Sequence, residues 1–176
     1  TLESAWIDVY HVPSKRRIIE SLGRQGDIRS GAERPAIVMA LQMCIVQDLL
    51  WIVAGYEDGA LQAWTIRVST MEPTLAWTHK CHAESIMALC LSPTSDSVLS
   101  LGADYHLVRT ALHHGAVPQI QRIKRPGHAC ASIRWDRRVC VLGGWDASVR
   151  VFTWPSLEPL AKLTYHKDSI YALSFV

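Results

Sequence analysis

Three phrases decide the reading of this chain: WIVAGYEDGALQAW (51–64), SVLSLGADYHLVRT (97–110) and VCVLGGWDASVRVF (139–152). Aligned on Asp58, Asp104 and Asp146, they recur at spacings of 46 and 42 residues. Each begins with four mostly apolar or small residues: Trp51–Ala54, Ser97–Ser100 and Val139–Leu142. A glycine-containing bend and the aspartate follow, then an alternating run ending at Trp64, Thr110 or Phe152. Glycine supplies turn dihedrals that bulkier residues disfavour, and aspartate hydrogen-bonds nearby backbone in a turn. Each phrase therefore reads as strand, tight turn, strand.

Further landmarks extend the unit in both directions. His82, His128 and His166 each precede an apolar run, at Ile86–Leu91, Ala129–Trp135 and Ile170–Val176. These runs are nearly continuous, as in strands covered on both faces. A weaker segment fit for an outer strand follows each phrase, at Thr74–Lys80, Gln119–Lys124 and Leu160–Thr164. Four short strands in about 40–46 residues is the period of a β-propeller blade. The expected fold class is all-β.

A histidine before the first strand, a small residue or serine in the second, an aspartate in the turn and a tryptophan closing the third resemble the WD40 repeat. In that family the four form a hydrogen-bonded network inside a blade. The resemblance carries over incompletely. The middle unit has His82, Ser100 and Asp104, with Thr110 for tryptophan. The third has His128 and Asp146, with Leu142 and Phe152 in the remaining places. The first has Asp58 and Trp64, with Ala54 for serine and no histidine.

The expected organisation is one propeller domain. Residues 1–22 supply the last two strands of a preceding blade (Ser4–Tyr10 and Arg16–Ser21), and 23–35 form a flexible loop or insertion. Blades follow at 36–80, 81–124 and 125–163, and 164–176 provides the first strand of another. Those fifteen strands fall short of even a four-bladed ring, so the expectation is part of a larger, seven-bladed one. The rival is a closed four-bladed ring whose termini share a blade.

Within the WD40 class, Gly143-Gly144-Trp145-Asp146, Val149–Phe152, Pro159-Leu160-Ala161 and His166 before Ile170–Leu173 are similar to a narrower family. It comprises the G-protein-β-subunit-like proteins of animals and the fungal ASTRA-associated protein 1, and AGYEDGALQAW (54–64) fits it too. The resemblance implies a non-enzymatic scaffold without cofactors. Its implied partners are Tel2–Tti co-chaperone components and phosphatidylinositol-3-kinase-related kinases, with a link to chromatin regulation and a nuclear or cytoplasmic location. A G-protein-β-like signalling subunit and a chromatin- or nucleic-acid-binding propeller remain as alternatives.

Composition narrows the remaining classes. The 176 residues are 49% hydrophobic and 19% charged, which excludes a disordered tail. A net charge of +2 demands neither nucleic acid nor an anionic membrane. Five scattered cysteines without a C-x-x-C read as reduced thiols. Residues 36–55 are long enough for a membrane span, but Gln42, Gln47 and Asp48 interrupt them and divide the run into strand-length pieces.

His82, Ser100 and Asp104 could suggest a hydrolase, yet no G-x-S-x-G elbow accompanies them, and a structural network is the expected role. His79, Cys81 and His82 lack a second ligand pair for zinc. No Walker-type or G-x-G-x-x-G phosphate loop occurs. Basic knots at Lys15-Arg16-Arg17 and at Arg122, Lys124, Arg125, Arg134, Arg137 and Arg138 read as solvated faces, with an acidic or nucleic-acid partner as the rival. Trp51 and Trp64 are expected in the core. Trp145, just before the turn aspartate, and Glu57, its match in the first unit, are the candidate partner-binding rim. A buried Trp145 is the competing expectation.

Overall fold

The computed structural model describes residues 6–23, 36–125 and 127–175. Most of the 23–35 loop, residues 1–5 and Val176 lie outside the described residues. The apolar run after residue 36 folds as a hairpin, β3 (Val38–Val46) and β4 (Leu49–Tyr56). Gln47-Asp48 turn it, with Gln47 at φ 56°. Among the described residues no helix is long and apolar enough to cross a membrane. β5 (Ala60–Arg67) and β6 (Pro73–Lys80) complete a four-stranded antiparallel sheet in sequence order.

Two further sheets repeat it. The second comprises β7 (Ile86–Leu91), β8 (Ser97–Gly102), β9 (His106–Ala111) and β10 (Gln119–Arg122). The third comprises β11 (His128–Ile133), β12 (Val139–Gly144), β13 (Val149–Thr153) and β14 (Pro159–Leu163). β1 (Trp6–His11) and β2 (Arg16–Gly23) pair as a two-stranded sheet. Register places Ile52 opposite Trp64, Val98 opposite Thr110 and Cys140 opposite Phe152. Each inner strand shows a register shift after its first residue, at Val38, Ile86 and His128.

Alternation along the second strands distributes the core. On β4, Val53 packs toward the second sheet with Leu61, Ile86, Val98 and Val108, while Ile52 and Ala54 pack against Ile7, Ile19 and Leu22 of the two-stranded sheet. On β8, Val98 faces the first sheet; Leu99 and Leu101 meet Cys140, Leu142 and Phe152 of the third. Each fully buried aliphatic side chain contributes about 1.5–3 kcal/mol. The inner strands β3, β7 and β11 stand beside one another. The sheets are propeller-type blades fanned in chain order.

The outer face of β3 is left partly open: Met39, Leu41, Met43 and Ile45 are exposed. They share a face with Ile52 and Ala54, and β1–β2 cover that face only over the middle of the sheet. Residues 170–175, expected as a first strand, form none. A strand needs a neighbour to complete its ladder, and among the described residues this segment pairs with no strand. Ile170 is nonetheless buried, and its side chain reaches Gly143.

That contact repeats an earlier one. A Cβ on Gly55 would lie 2.4 Å from Ile86 Cγ2, so glycine is what allows the next inner strand to approach. Gly55→Ala should cost about 1–3 kcal/mol through overpacking. Ile86→Ala, which removes Cγ2, should therefore lower the urea denaturation midpoint less in the Gly55→Ala background than in the wild type; full additivity of the two losses would show that the residues do not share this contact.

Candidate functional site

Antiparallel alternation puts the aspartate turns and the links between sheets at one rim; the other hairpin turns lie at the opposite rim. In the second unit His82, Ser100 and Asp104 come together. Ser100 Oγ lies 2.9 Å from His82 Nε2, and His82 Nδ1 lies 3.0 Å from Asp104 Oδ1. The backbone N–H groups of Ala83 and His106 also donate to Asp104, each at 2.9 Å. Burial pushes His82 below its ordinary pKa, against the opposing pull of Asp104. Neutral His82 thus donates from Nδ1 to Asp104 and accepts the Ser100 hydroxyl proton at Nε2. Burial works to raise Asp104, but the bonds from His82, Ala83 and His106 hold it below the usual carboxylate range.

The order of contacts matches a Ser-His-Asp triad. Ser100, however, is 0% exposed, so no substrate can reach its hydroxyl. The three side chains act as a strut that fixes the link into β7. His82 N–H also donates to Gly59 O, tying this strut to the preceding sheet.

The third unit is built differently. His128 was expected in the place of His82, but register puts it opposite Gly144, as Ile86 is opposite Gly102. It is therefore the first residue of the inner strand, not a link residue four positions earlier. The partner of Asp146 is Arg150, which donates at 3.0 and 2.6 Å. Arg150 lies opposite Leu142, where the second unit pairs Val108 with Ser100. A buried guanidinium from the third strand thus replaces the histidine. Arg150 holds Asp146 well below the usual carboxylate range, and Ser148 and Lys162 reinforce it. His128 receives only a long 3.4 Å contact from Arg150, and burial together with that charge pushes it down to about 4.

In the first unit Asp58 accepts the Ala60 N–H at 3.1 Å and lies 3.9 Å from Lys80 Nζ. Trp64 is buried between the first sheet and β1–β2, and Trp51 is buried on the other side. Glu57, Ala103 and Trp145 take matching places on the aspartate rim, one per sheet. Their N–H groups donate to Ile37, Ser85 and Gly127 respectively. Ser85 Oγ donates to Glu57 O, and Ser169 Oγ donates to Trp145 O. Ser85 thereby links the first two sheets at the rim, and Ser169 holds the segment after β14 to the third. Trp145 is 43% exposed, its ring lying over Gly127, where a Cβ would be 2.2 Å from Cε3. Glu57 is half-buried.

Other candidates disperse. His79 Nε2 contacts Gly115 O and its ring lies by Trp77, while His82 is held in its strut. Among the described residues no group of three His, Cys, Asp or Glu could hold a metal. Burial raises Cys81 to about 11 and Cys140 to about 12, so both are thiols. The basic knots are partly neutralised: Arg17 pairs with Asp8 and Glu20, Arg134 with Asp136, and Arg137 with Asp96. Sequence reasoning missed Arg150; its one trace is a cation four residues after the turn aspartate.

The chain is 29% identical over 184 residues to ASTRA-associated protein 1 of Verticillium alfalfae, covering 99% of this chain and 43% of that protein. The chain resembles ASTRA-associated protein 1. The Aspergillus niger protein of that name is also 29% identical, over 196 residues, with 99% and 43% covered. Guanine nucleotide-binding protein subunit beta-like protein 1 of Mus musculus is 28% identical over 174 residues, with 96% and 50% covered. The chain therefore spans about half the length of these relatives, or less. No protein-family model matches it. In fold it is similar to the computationally designed Ika8 protein, with TM-score 0.72, 17% identity, and 99% of this chain and 48% of that chain covered.

His128 sets an acid limit on stability. Its folded pKa of about 4 lies below the unfolded value of 6.5. On acidification the unfolded chain takes up the proton first, so stability is full above about pH 6.5 and falls until about pH 4. His128→Ile, the residue found at this place in the second unit, should reduce the stability lost between pH 7 and 5 by about 2 kcal/mol. Denaturant midpoints measured at both pH values check this; equal losses in the two proteins would show that His128 is not buried neutral.

Proposed function

We propose that the chain forms part of a non-enzymatic WD-repeat scaffold that docks protein partners on the aspartate rim, through Trp145 and Glu57. The observation that carries this reading is a rim, hydrogen-bonded at Glu57 by Ser85 and at Trp145 by Ser169, that presents a half-exposed tryptophan. A rigidly held aromatic loses little conformational freedom on binding and makes an effective anchor. The sealed Ser100 supports a structural role for the one arrangement that resembles catalytic machinery.

The names of the relatives support an ASTRA-type multi-subunit assembly as the setting. In this reading the partners are Tel2–Tti co-chaperone components and phosphatidylinositol-3-kinase-related kinases. The scaffold would support their maturation and chromatin regulation, in the nucleus, the cytoplasm or both. The mouse relative's name favours one second reading, a G-protein-β-like signalling subunit. Direct nucleic-acid binding has less support, because Arg17, Arg134 and Arg137 of the basic knots are engaged in ion pairs.

Affinity purification followed by mass spectrometry separates these readings. The wild-type protein should recover Tel2–Tti components and the kinases. Trp145→Ala combined with Glu57→Lys should reduce that recovery by roughly tenfold or more, with the melting temperature little changed. Equal recovery from wild type and double variant would overturn the rim assignment. Recovery of a G-protein α subunit in place of the co-chaperones would overturn the ASTRA reading.

A further inference from the structure

The opposite rim holds a second candidate site. A cleft of about 290 Å³ opens between the second and third sheets, lined by Asp96, Arg109, Asp136, Arg137, Trp154 and Pro155. We propose that this cleft binds a carboxylate-bearing peptide segment of a protein partner, with Arg109 as the cation that receives it. The site lies away from Trp145 and Glu57 and does not depend on the function proposed for their rim.

Arg109 is the unusual residue. It stands on β9 opposite Leu99, on the face turned toward the third sheet, where Leu99 and Leu107 belong to the inter-sheet core. Its guanidinium carbon lies 5.4 Å from the centroid of the Trp154 ring. Its Nε is shut off from solvent without a hydrogen-bond partner, and among the described residues Arg109 has no ion-pair partner. A buried guanidinium N–H left unpaired is costly, and an aromatic face does not satisfy it as an oxygen would.

The neighbouring charges are already matched. Arg137 Nη1 bonds Asp96 Oδ2 at 3.1 Å and Thr94 Oγ1 at 3.2 Å. Arg134 grips Asp136 with two bonds, at 2.9 and 2.7 Å. Counting Arg134 with the lining, three guanidinium groups face two carboxylates, and Arg109 is the surplus. One unmatched positive charge calls for a single negative charge, which favours a carboxylate over a doubly charged phosphate. Trp154 and Pro155 offer an apolar wall for the chain that carries it. The walls are tied together: Gln119, opposite Arg109, donates from Nε2 to Ser156 O at 2.8 Å, joining the second sheet to the β13–β14 turn.

The test uses the isotopically labelled protein and three acetylated, amidated pentapeptides, Gly-Leu-X-Leu-Gly, with glutamate, glutamine or phosphoserine at X. Resonances of the Trp154 indole N–H and the Arg109 Nε–H report binding. The glutamate peptide should shift both to saturation, and the glutamine peptide should not. Arg109→Met should weaken the glutamate peptide by about tenfold or more, and Arg109→Lys should weaken it less. Equal response to glutamate and glutamine, or undiminished binding by Arg109→Met, overturns the proposal. So does a phosphoserine peptide that binds more than tenfold tighter than glutamate. If Arg109→Met does not fold, salt dependence decides: glutamate binding to the wild type that does not weaken between 50 and 500 mM NaCl overturns it equally.

Discussion

A four-stranded sheet with apolar side chains on both faces is stable only when both faces are covered, and here the cover is the next sheet. Val53 and Ile52, adjacent on β4, serve two different cores. Val98 and Leu99 do the same on β8. The closeness of that stacking depends on small residues at the seams: Gly55 admits Ile86, and Gly143 admits Ile170. Because all three four-stranded sheets share one register, their aspartate turns fall on one rim and their remaining hairpins on the other.

Polar groups inside such a stack must find partners, and two neighbouring units solve the same problem with different residues. In the second, a neutral histidine bridges serine and aspartate beneath the rim. In the third, a guanidinium reaches the aspartate directly, and leucine replaces the serine that no longer has a histidine to meet. The exchange keeps the turn aspartate satisfied while changing its chemistry. A hydrogen-bonded strut becomes an ion pair, and a histidine without a close polar partner is left beside it. A partial repeat motif is thus a different solution to one constraint, since what the fold requires is a satisfied carboxylate rather than a particular partner.

The two rims offer different surfaces. One presents a half-exposed tryptophan. The other presents a cleft in which one guanidinium exceeds the carboxylates around it.

Much of this was legible in the residues. The spacing of Asp58, Asp104 and Asp146, the apolar runs before them and the alternation after them determine short antiparallel strands in repeated sheets, because period-two patterning and turn chemistry act locally. The meeting of His82, Ser100 and Asp104 was implied by the resemblance to the WD40 repeat. Register was decided only by the tertiary structure. His128 precedes an apolar run just as His82 does, yet pairing placed it four positions further along, where Ile86 stands in the neighbouring unit. Apart from the spacing of Arg150 from Asp146, Arg150 and Arg109 carry no mark in the sequence, and only the packing of the folded sheets brought them to Asp146 and Trp154. Local pattern sets what a segment can form; which side chains meet depends on the neighbour it is pressed against, and that neighbour lies tens of residues away.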